Sequence, residues 1–300
     1  MNGRTFDFVQ VDVFSRTRFA GNPLAIFGDA HGLADAEMQA IAREMNLSET
    51  TFILQRDLTI DAHDGTRVRI FTVEEELPFA GHPTLGTALY LYSLRPSSEI
   101  VLDLNVGKVP VRFTADSKAD NSRLVDGNVF GEMRQRDPEF GKILSCDDVA
   151  KAIGIDADEI ASDWPCQIVS TGLPFAIMPF RNLNALSKFK PDVNRAAGFL
   201  QGTGARFFYF VCPEAKGKVR ARMFFYGGED PATGSAAGCA AAWMAKHGVS
   251  ESEEQVLIRQ GVEAGRPSEI FVRASREDDR VMNVRVGGYA IEVLRGTVSL

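Results

Sequence analysis

Apolar and polar positions alternate along most of this chain and only rarely recur at helical spacing. FDFVQVDVF (6–14), TTFILQ (50–55), TRVRIFTV (66–73), EIVLDLN (99–105), KVPVRFTA (108–115), RFFYFVC (206–212) and KVRARMFFY (218–226) are short runs rich in β-branched and aromatic residues, and each predicts a strand. QVLIRQ, SEIFVRA, VMNVRVGG and YAIEVLRGTVSL end the chain in the same way, separated by turns. One segment has a clean helical face: in ADAEMQAIAREMN, Met38, Ile41, Ala42 and Met45 stand at i, i+3, i+4 and i+7. HPTLGTALYLYSL and SAAGCAAAWMAKHG have almost no polar face. A helix that is apolar all round must be surrounded by protein, so the pattern predicts two central helices inside strand-rich shells.

The polar, patternless stretch DSKADNSRLVDGN (116–128) reads as an inter-domain linker. On either side of it the chain repeats itself. At an offset of 220 − 67 = 153, Arg67 meets Arg220, Arg69 meets Arg222, Phe71 meets Phe224, Glu76 meets Glu229, Pro78 meets Pro231 and Gly81 meets Gly234. These identities fall within positions 67–81, where chance gives about one at average residue usage. Each half runs strand, tight turn with E-x-P-x-x-G, then buried helix, as an internal duplication would. The alternating arginines 67, 69, 220 and 222 read as residues on solvated strand faces.

Composition narrows the classes. Apolar residues make up 45% of 300 and charged residues 24%, ordinary values for a globular protein with one large or two smaller domains. A net charge of −7 and the lack of any basic run argue against a nucleic-acid partner. No apolar run reaches membrane-spanning length, and the first residues read as a strand, not a signal peptide. Cys146, Cys166, Cys212 and Cys239 are scattered, as are His31, His63, His82 and His247. This usage favours a reducing cytoplasm and predicts no metal site.

The chemistry-bearing residues cluster where the repeat does. Gly81-His82-Pro83-Thr84 and Gly234-Ser235-Ala236-Ala237 each open a buried helix. Amides at a helix N-terminus bind carboxylates, glycine allows close approach, and Pro83 suits an early helical position. Paired, two such termini would make a site for a small anionic molecule. His82 and Ser235 are equivalent (235 − 82 = 153), and Asp230 lies in the turn before the second glycine. Singly, Asp230 reads as a turn or capping residue, Ser235 as an N-cap and His82 as a loop histidine. Together, at paired helix mouths, they read equally well as a functional set. Glu49 in NLSETTFIL is either a strand-flanking polar group or a carboxylate desolvated for acid/base work. Asn22 in FAGNPLAIF is either a turn residue or a ligand-binding amide.

VDVFSRTRFAGNPLAIF, AREMNLSETTFIL, FTVEEELPFAGHPTLGTAL, GEDPATGSAAG and RQGVEAGRPSEI, taken in order, resemble the PhzF-like (phenazine biosynthesis-like) isomerase family of the diaminopimelate-epimerase-like superfamily. ETTF, ELPFAGHPT and EDPATGSA together are specific, and residues 116–205 match little. The resemblance implies an α+β protein of two similar domains, each a β-barrel-like sheet around a central α-helix, with a cleft between them. Residues 1–117 with about 289–300 would form one domain, and 125–288 the other. It further implies a cofactor-free, cytoplasmic homodimer acting on a small carboxylated substrate. Glu49 would be the proton-transferring acid/base, and His82 and Asp230 its hydrogen-bonding network. Ser235 would contact substrate with Asn22, and Gly81 and Gly234 would bind its anion. The superfamily's two-cysteine racemases carry thiols at the two helix mouths. Here glycines stand there, and Cys239 lies about a turn and a half further along its helix. The function expected is a proton shift on a small carboxylated metabolite; epimerisation, dehydration or ligand binding without turnover are its rivals.

Overall fold

The structure is a computed structural model that describes residues 3–115, 125–225 and 228–300. The predicted linker falls largely on 116–124 and so lies outside the described residues. By contacts the chain divides into two compact units, Met1–Met133 with Gly287–Leu300, and Arg134–Val286.

The first unit contains β1 (Thr5–Val13), β2 (Asn22–Phe27), α1 (Asp35–Met45), β3 (Glu49–Leu54), α2 (Leu58–Asp64), β4 (Thr66–Phe71) and β5 (Glu76–Leu77). The buried helix α3 (Gly81–Leu94) and strands β6 (Glu99–Leu104), β7 (Gly107–Ala115) and β8 (Val129–Arg134) follow. β8 pairs with β7 from Val111↔Met133 to Ala115↔Val129, which carries this unit past residue 117. The last strand of the chain, Ala290–Ser299, returns to run antiparallel along β1. From that strand through β1, β2, β3, β4, β6 and β7, successive pairings are antiparallel, antiparallel, parallel, antiparallel, parallel and antiparallel.

Residues Gly81 to Leu91 of α3 are all buried, as a helix without a polar face requires. The helix packs against β1, β2, β3 and β6. Gly86 permits the approach: a Cβ there would lie 2.6 Å from a Val13 methyl and 2.7 Å from one of Leu24. On the opposite face of the sheet, α1 presents Met38, Ile41 and Ala42 to Phe27, Phe52 and Phe71, with Met45 at the margin. Phe27 and Phe52 stack at 5.0 Å. Each such fully buried side chain contributes roughly 1.5–3 kcal/mol of burial energy.

The second unit contains β9 (Glu139–Leu144), α4 (Cys146–Ile153), β10 (Cys166–Ser170), β11 (Pro174–Pro179), α5 (Leu183–Lys188), α6 (Val193–Leu200) and β12 (Phe207–Ala215). It continues with β13 (Lys218–Phe225), β14 (Gly228–Glu229), α7 (Gly234–Lys246), β15 (Val256–Gln260), β16 (Ser268–Glu277) and β17 (Arg280–Gly288); the returning strand is thus β18. Through β9, β10, β11, β12, β13, β15 and β16 the pairings run in the same series as in the first unit. The repeat found at an offset of 153 is therefore a repeat of topology, with α7 standing where α3 does. α7 is buried from Ala236 to Ala245 and stops at the His247 cap before left-handed Gly248.

The arginines differ from expectation. Arg220 and Arg222 are buried, and neither lies on a solvated face. Arg222 forms a two-pronged bond to Glu229 (2.9 and 2.8 Å), donates to the carbonyls of Leu186 and Phe189, and lies over the Phe224 ring at 4.8 Å. Its repeat mate Arg69 pairs the same way with Glu76 and covers Phe71 at 5.0 Å. The E-x-P turn folds back on the strand in matching register in both units, Phe71↔Glu76 and Phe224↔Glu229. Glutamate seven residues on thus neutralises the arginine, which lets strand alternation place that charge inward. The pattern predicts nothing between residues 129 and 205, where β8 to β11 and α4 to α6 lie. Those helices are only six to eight residues long and are held by caps at Ser145, Asn182 and Asp192, too short to show a period.

Candidate active site

In the first unit, the side chains of β3 alternate between two environments. Phe52 joins the α1 cluster, whereas the Thr51 hydroxyl meets Thr87 of α3 at 2.9 Å. Glu49, two residues before Thr51, shares the α3 face and stands at the start of the strand, level with Leu24 of β2. The first turn of α3 presents His82 to it, with Nδ1 3.5 Å from Glu49 Oε2. Both side chains are mostly shielded, at 6% exposure for His82 and 16% for Glu49.

Burial drives the His82 pKa down from 6.5 to about 3, opposed by the backbone of Pro23. The imidazole is therefore neutral near pH 7, and its contact with Glu49 is not an ion pair, although the two groups are within salt-bridge distance. His82 Nε2 is buried and has no hydrogen-bond partner among the described residues. Such an atom is costly to bury unless a ligand supplies the missing bond.

Asn22 is the first residue of β2 and fully buried, which makes it a strand residue and not a turn residue. It follows left-handed Gly21, where a Cβ would lie 2.4 Å from the Val13 carbonyl oxygen. Its neighbour Pro23 supplies the backbone that faces His82. Gly81 is the first residue of α3, where helix geometry leaves the amides without intrahelical acceptors. Glu49, His82, Gly81 and Asn22 thus gather in one corner of the first unit.

The second unit carries Asp230, Gly234 and Ser235. Asp230 is buried, and its amide donates to Met223 of β13 at 2.9 Å. Gly234 opens α7, and the residue before it, Thr233, is the N-cap, so Ser235 lies inside the first turn and is not the N-cap. The Thr233 hydroxyl does not cap the helix; it donates to Asp230 Oδ2 at 2.5 Å. Behind it stands Gln260, whose Nε2 donates to the Asp230 carbonyl (2.8 Å) and to Thr233 Oγ1 (2.9 Å). Gln260 Oε1 accepts from the Thr233 amide (3.2 Å) and from the Tyr209 hydroxyl (2.9 Å). Further along, Gly238 makes room for Gln135, whose Nε2 donates to the Gly234 carbonyl at 3.0 Å.

Thr233, Tyr209 and Gln260 went unread in the sequence. Gln260 stands in the motif RQGVEAGRPSEI, but QG alone carries little information, and Tyr209 looks like any core aromatic. Cys239 is fully buried, bonded to Thr171 and the Leu173 carbonyl, and its thiol is pushed up to about 11. A thiol so placed is inert near neutral pH. Among the described residues no group of three or more His, Cys, Asp or Glu is arranged to hold a metal ion, and no helix is long and apolar enough to cross a membrane.

Two units of one topology, each a sheet packed on a buried helix, are a fold that solved structures of an epimerase and of PhzF-family proteins share. Hydroxyproline epimerase from Agrobacterium vitis shares this fold, with a TM-score of 0.63 at 11% identity over 99% of this chain and 93% of that one. A Bacillus anthracis phenazine biosynthesis protein of the PhzF family superposes with a TM-score of 0.85 at 24% identity, covering 98% and 99% of the two chains. Trans-2,3-dihydro-3-hydroxyanthranilate isomerase from Pseudomonas chlororaphis is 36% identical over 300 residues, 98% of this chain and 99% of that protein. The sequence profile of the PhzC-PhzF family, described as phenazine biosynthesis-like protein, matches residues 11–296. The chain belongs to that family, and it is an isomerase.

Proposed function

We propose that this isomerase moves a proton from one carbon to another of a small carboxylated metabolite, without a cofactor. The observation that carries the reading is the Glu49–His82 contact: a carboxylate 3.5 Å from an imidazole that burial keeps neutral. Glu49 takes the C–H proton, becomes the acid, and returns the proton to a second carbon on the same face, so the composition of the substrate does not change. His82, uncharged, can hold a hydrogen bond to Glu49 without drawing its proton away as an imidazolium would. In the first unit the α3 first-turn amide at Gly81 and the Asn22 amide bind the substrate carboxylate and steady the charge that develops on the carbon framework; in the second unit the α7 first-turn amide at Gly234 and the Ser235 hydroxyl are its substrate-binding groups. Asp230, in the second unit, acts on a polar group of substrate. Cys239 supports this reading from the opposite side, because a protonated, buried thiol offers no base for a two-thiol racemisation.

The relative from Pseudomonas chlororaphis is a trans-2,3-dihydro-3-hydroxyanthranilate isomerase, and that compound heads the panel of small carboxylates to assay. In D2O, turnover should carry hydrogen to a new carbon, with at most one deuterium entering there as the protonated Glu49 exchanges with solvent and the substrate's composition otherwise unchanged. Inversion at the original carbon would indicate an epimerase instead, and loss of water a dehydratase. Glu49→Gln should abolish turnover and leave the thermal melt within a few degrees of wild type. Full activity in that variant would sink the mechanism.

A further inference from the structure

Gln260 is wholly buried at the end of β15, and its four side-chain hydrogen bonds among the described residues go to the segment that carries Asp230 or to Tyr209. We propose that Gln260 is the positioning residue for Asp230: its side-chain amide holds the Asp230–Thr233 turn and, through the Thr233 hydroxyl, fixes the orientation of the Asp230 carboxylate. This rests on the reading that Asp230 acts on the substrate.

The direction of each bond follows from the partners. The Asp230 carbonyl can only accept and the Thr233 amide can only donate, so Gln260 must present Nε2 to the first and Oε1 to the second. Tyr209 is fully buried, and desolvation together with the charge of Asp230 raises its hydroxyl well above 10, so it remains a donor to Oε1. With Nε2 also donating to Thr233 Oγ1, the Thr233 proton is left to point at Asp230 Oδ2, 2.5 Å away. Oδ2 is thereby held as an acceptor, which fixes the orientation of the carboxylate. Gly261 brings Gln260 into place. Its φ is +72°, and a Cβ there would stand 2.5 Å from the Pro231 carbonyl oxygen, so only glycine lets β15 end this close to the turn.

The first unit gives the contrast. At an offset of 153 the place of Asp230 is taken by apolar Leu77; the strand pairings Arg67↔Asp103 and Arg220↔Arg259 put the place of Gln260, at the end of its strand, on apolar Leu104. There the loop after β6 meets the turn through the Val106 N–H, which donates to the Pro78 carbonyl at 3.1 Å, and through Asn105 Nδ2, which donates to Glu76 Oε1 at 2.8 Å. The half with an apolar residue in the place of Asp230 also has an apolar residue in the place of Gln260.

The test compares crystal structures and kinetics of the full chain as Gln260→Met, Gln260→Glu and Asp230→Asn, with trans-2,3-dihydro-3-hydroxyanthranilate as the kinetic probe. In Gln260→Met the fold is retained and the Asp230 carboxylate leaves the Thr233 hydroxyl; kcat falls about 10–100-fold while KM changes less than about threefold, as expected for misplacing a group by about 1 Å. Gln260→Glu recovers part of the loss as pH is lowered, because its acid form restores one donor. A Gln260→Met structure with Asp230 and Thr233 unmoved overturns the proposal, whatever the probe does. So does full activity in Gln260→Met while Asp230→Asn is inactive. Asp230→Asn with full activity would instead remove the underlying role of Asp230, while the Gln260→Met structure would still decide what holds the turn.

Discussion

As pH falls from 7, the unfolded chain takes up a proton on His82 that the folded protein refuses. The imidazole titrates near 6.5 when unfolded and at about 3 when folded, because the native site is desolvated. A depressed folded value means that this stability is fully present above pH 6.5 and is lost as pH falls toward 3. At about 1.4 kcal/mol per pH unit, the gap of 6.5 − 3 = 3.5 corresponds to roughly 5 kcal/mol at the acid limit and about 2 kcal/mol at about pH 5. His82→Gln has no such titration. Urea unfolding of both proteins should therefore show the wild type losing about 2 kcal/mol more than the variant between about pH 7.5 and about pH 5. NMR of labelled histidine offers a direct reading, since the His82 resonance should stay that of the neutral ring at about pH 5. A His82 midpoint between about 6 and 7 in the folded protein, or a stability gap between the two proteins that ignores pH, would refute the reasoning.

Two further outcomes concern the repeat and the turn. Glu229→Gln strands the buried Arg222 charge and should cost about 3–5 kcal/mol in urea unfolding, whereas Glu76→Gln, whose partner Arg69 also reaches Asp35, should cost about 1 kcal/mol. Equal costs would mean that burial does not set the difference between the two pairs. Gly261→Ala places a Cβ 2.4 Å from the Arg266 carbonyl oxygen at φ +72° and should lower Tm by several degrees, more than the few tenths of a kcal/mol expected of an exposed glycine. An unchanged Tm would show that the turn yields without strain.

Much of the architecture is local, and the chain reveals it before folding. Strands with alternating faces, a one-sided α1 and two helices without polar faces are written in residue spacing, because burial acts on each periodic segment in the same way wherever it ends up. The duplication is likewise legible, from Arg67 and Gly81 against Arg220 and Gly234. The elements that went unread between residues 129 and 205 are short and depend on their neighbours.

The residue types at the candidate site were legible as well, since Glu49, His82, Asp230 and the two glycines stand in compact motifs. What spacing cannot carry is environment. Whether His82 is charged depends on how completely its surroundings exclude water, which is a property of packed β2, β3 and α3 together. The same holds for Arg222, which alternation alone would assign to solvent until Glu229 is folded against it. It holds most for Gln260. Thirty residues separate it from Asp230, and only the pairing of β13 with β15 brings a buried amide to the one carboxylate it can aim.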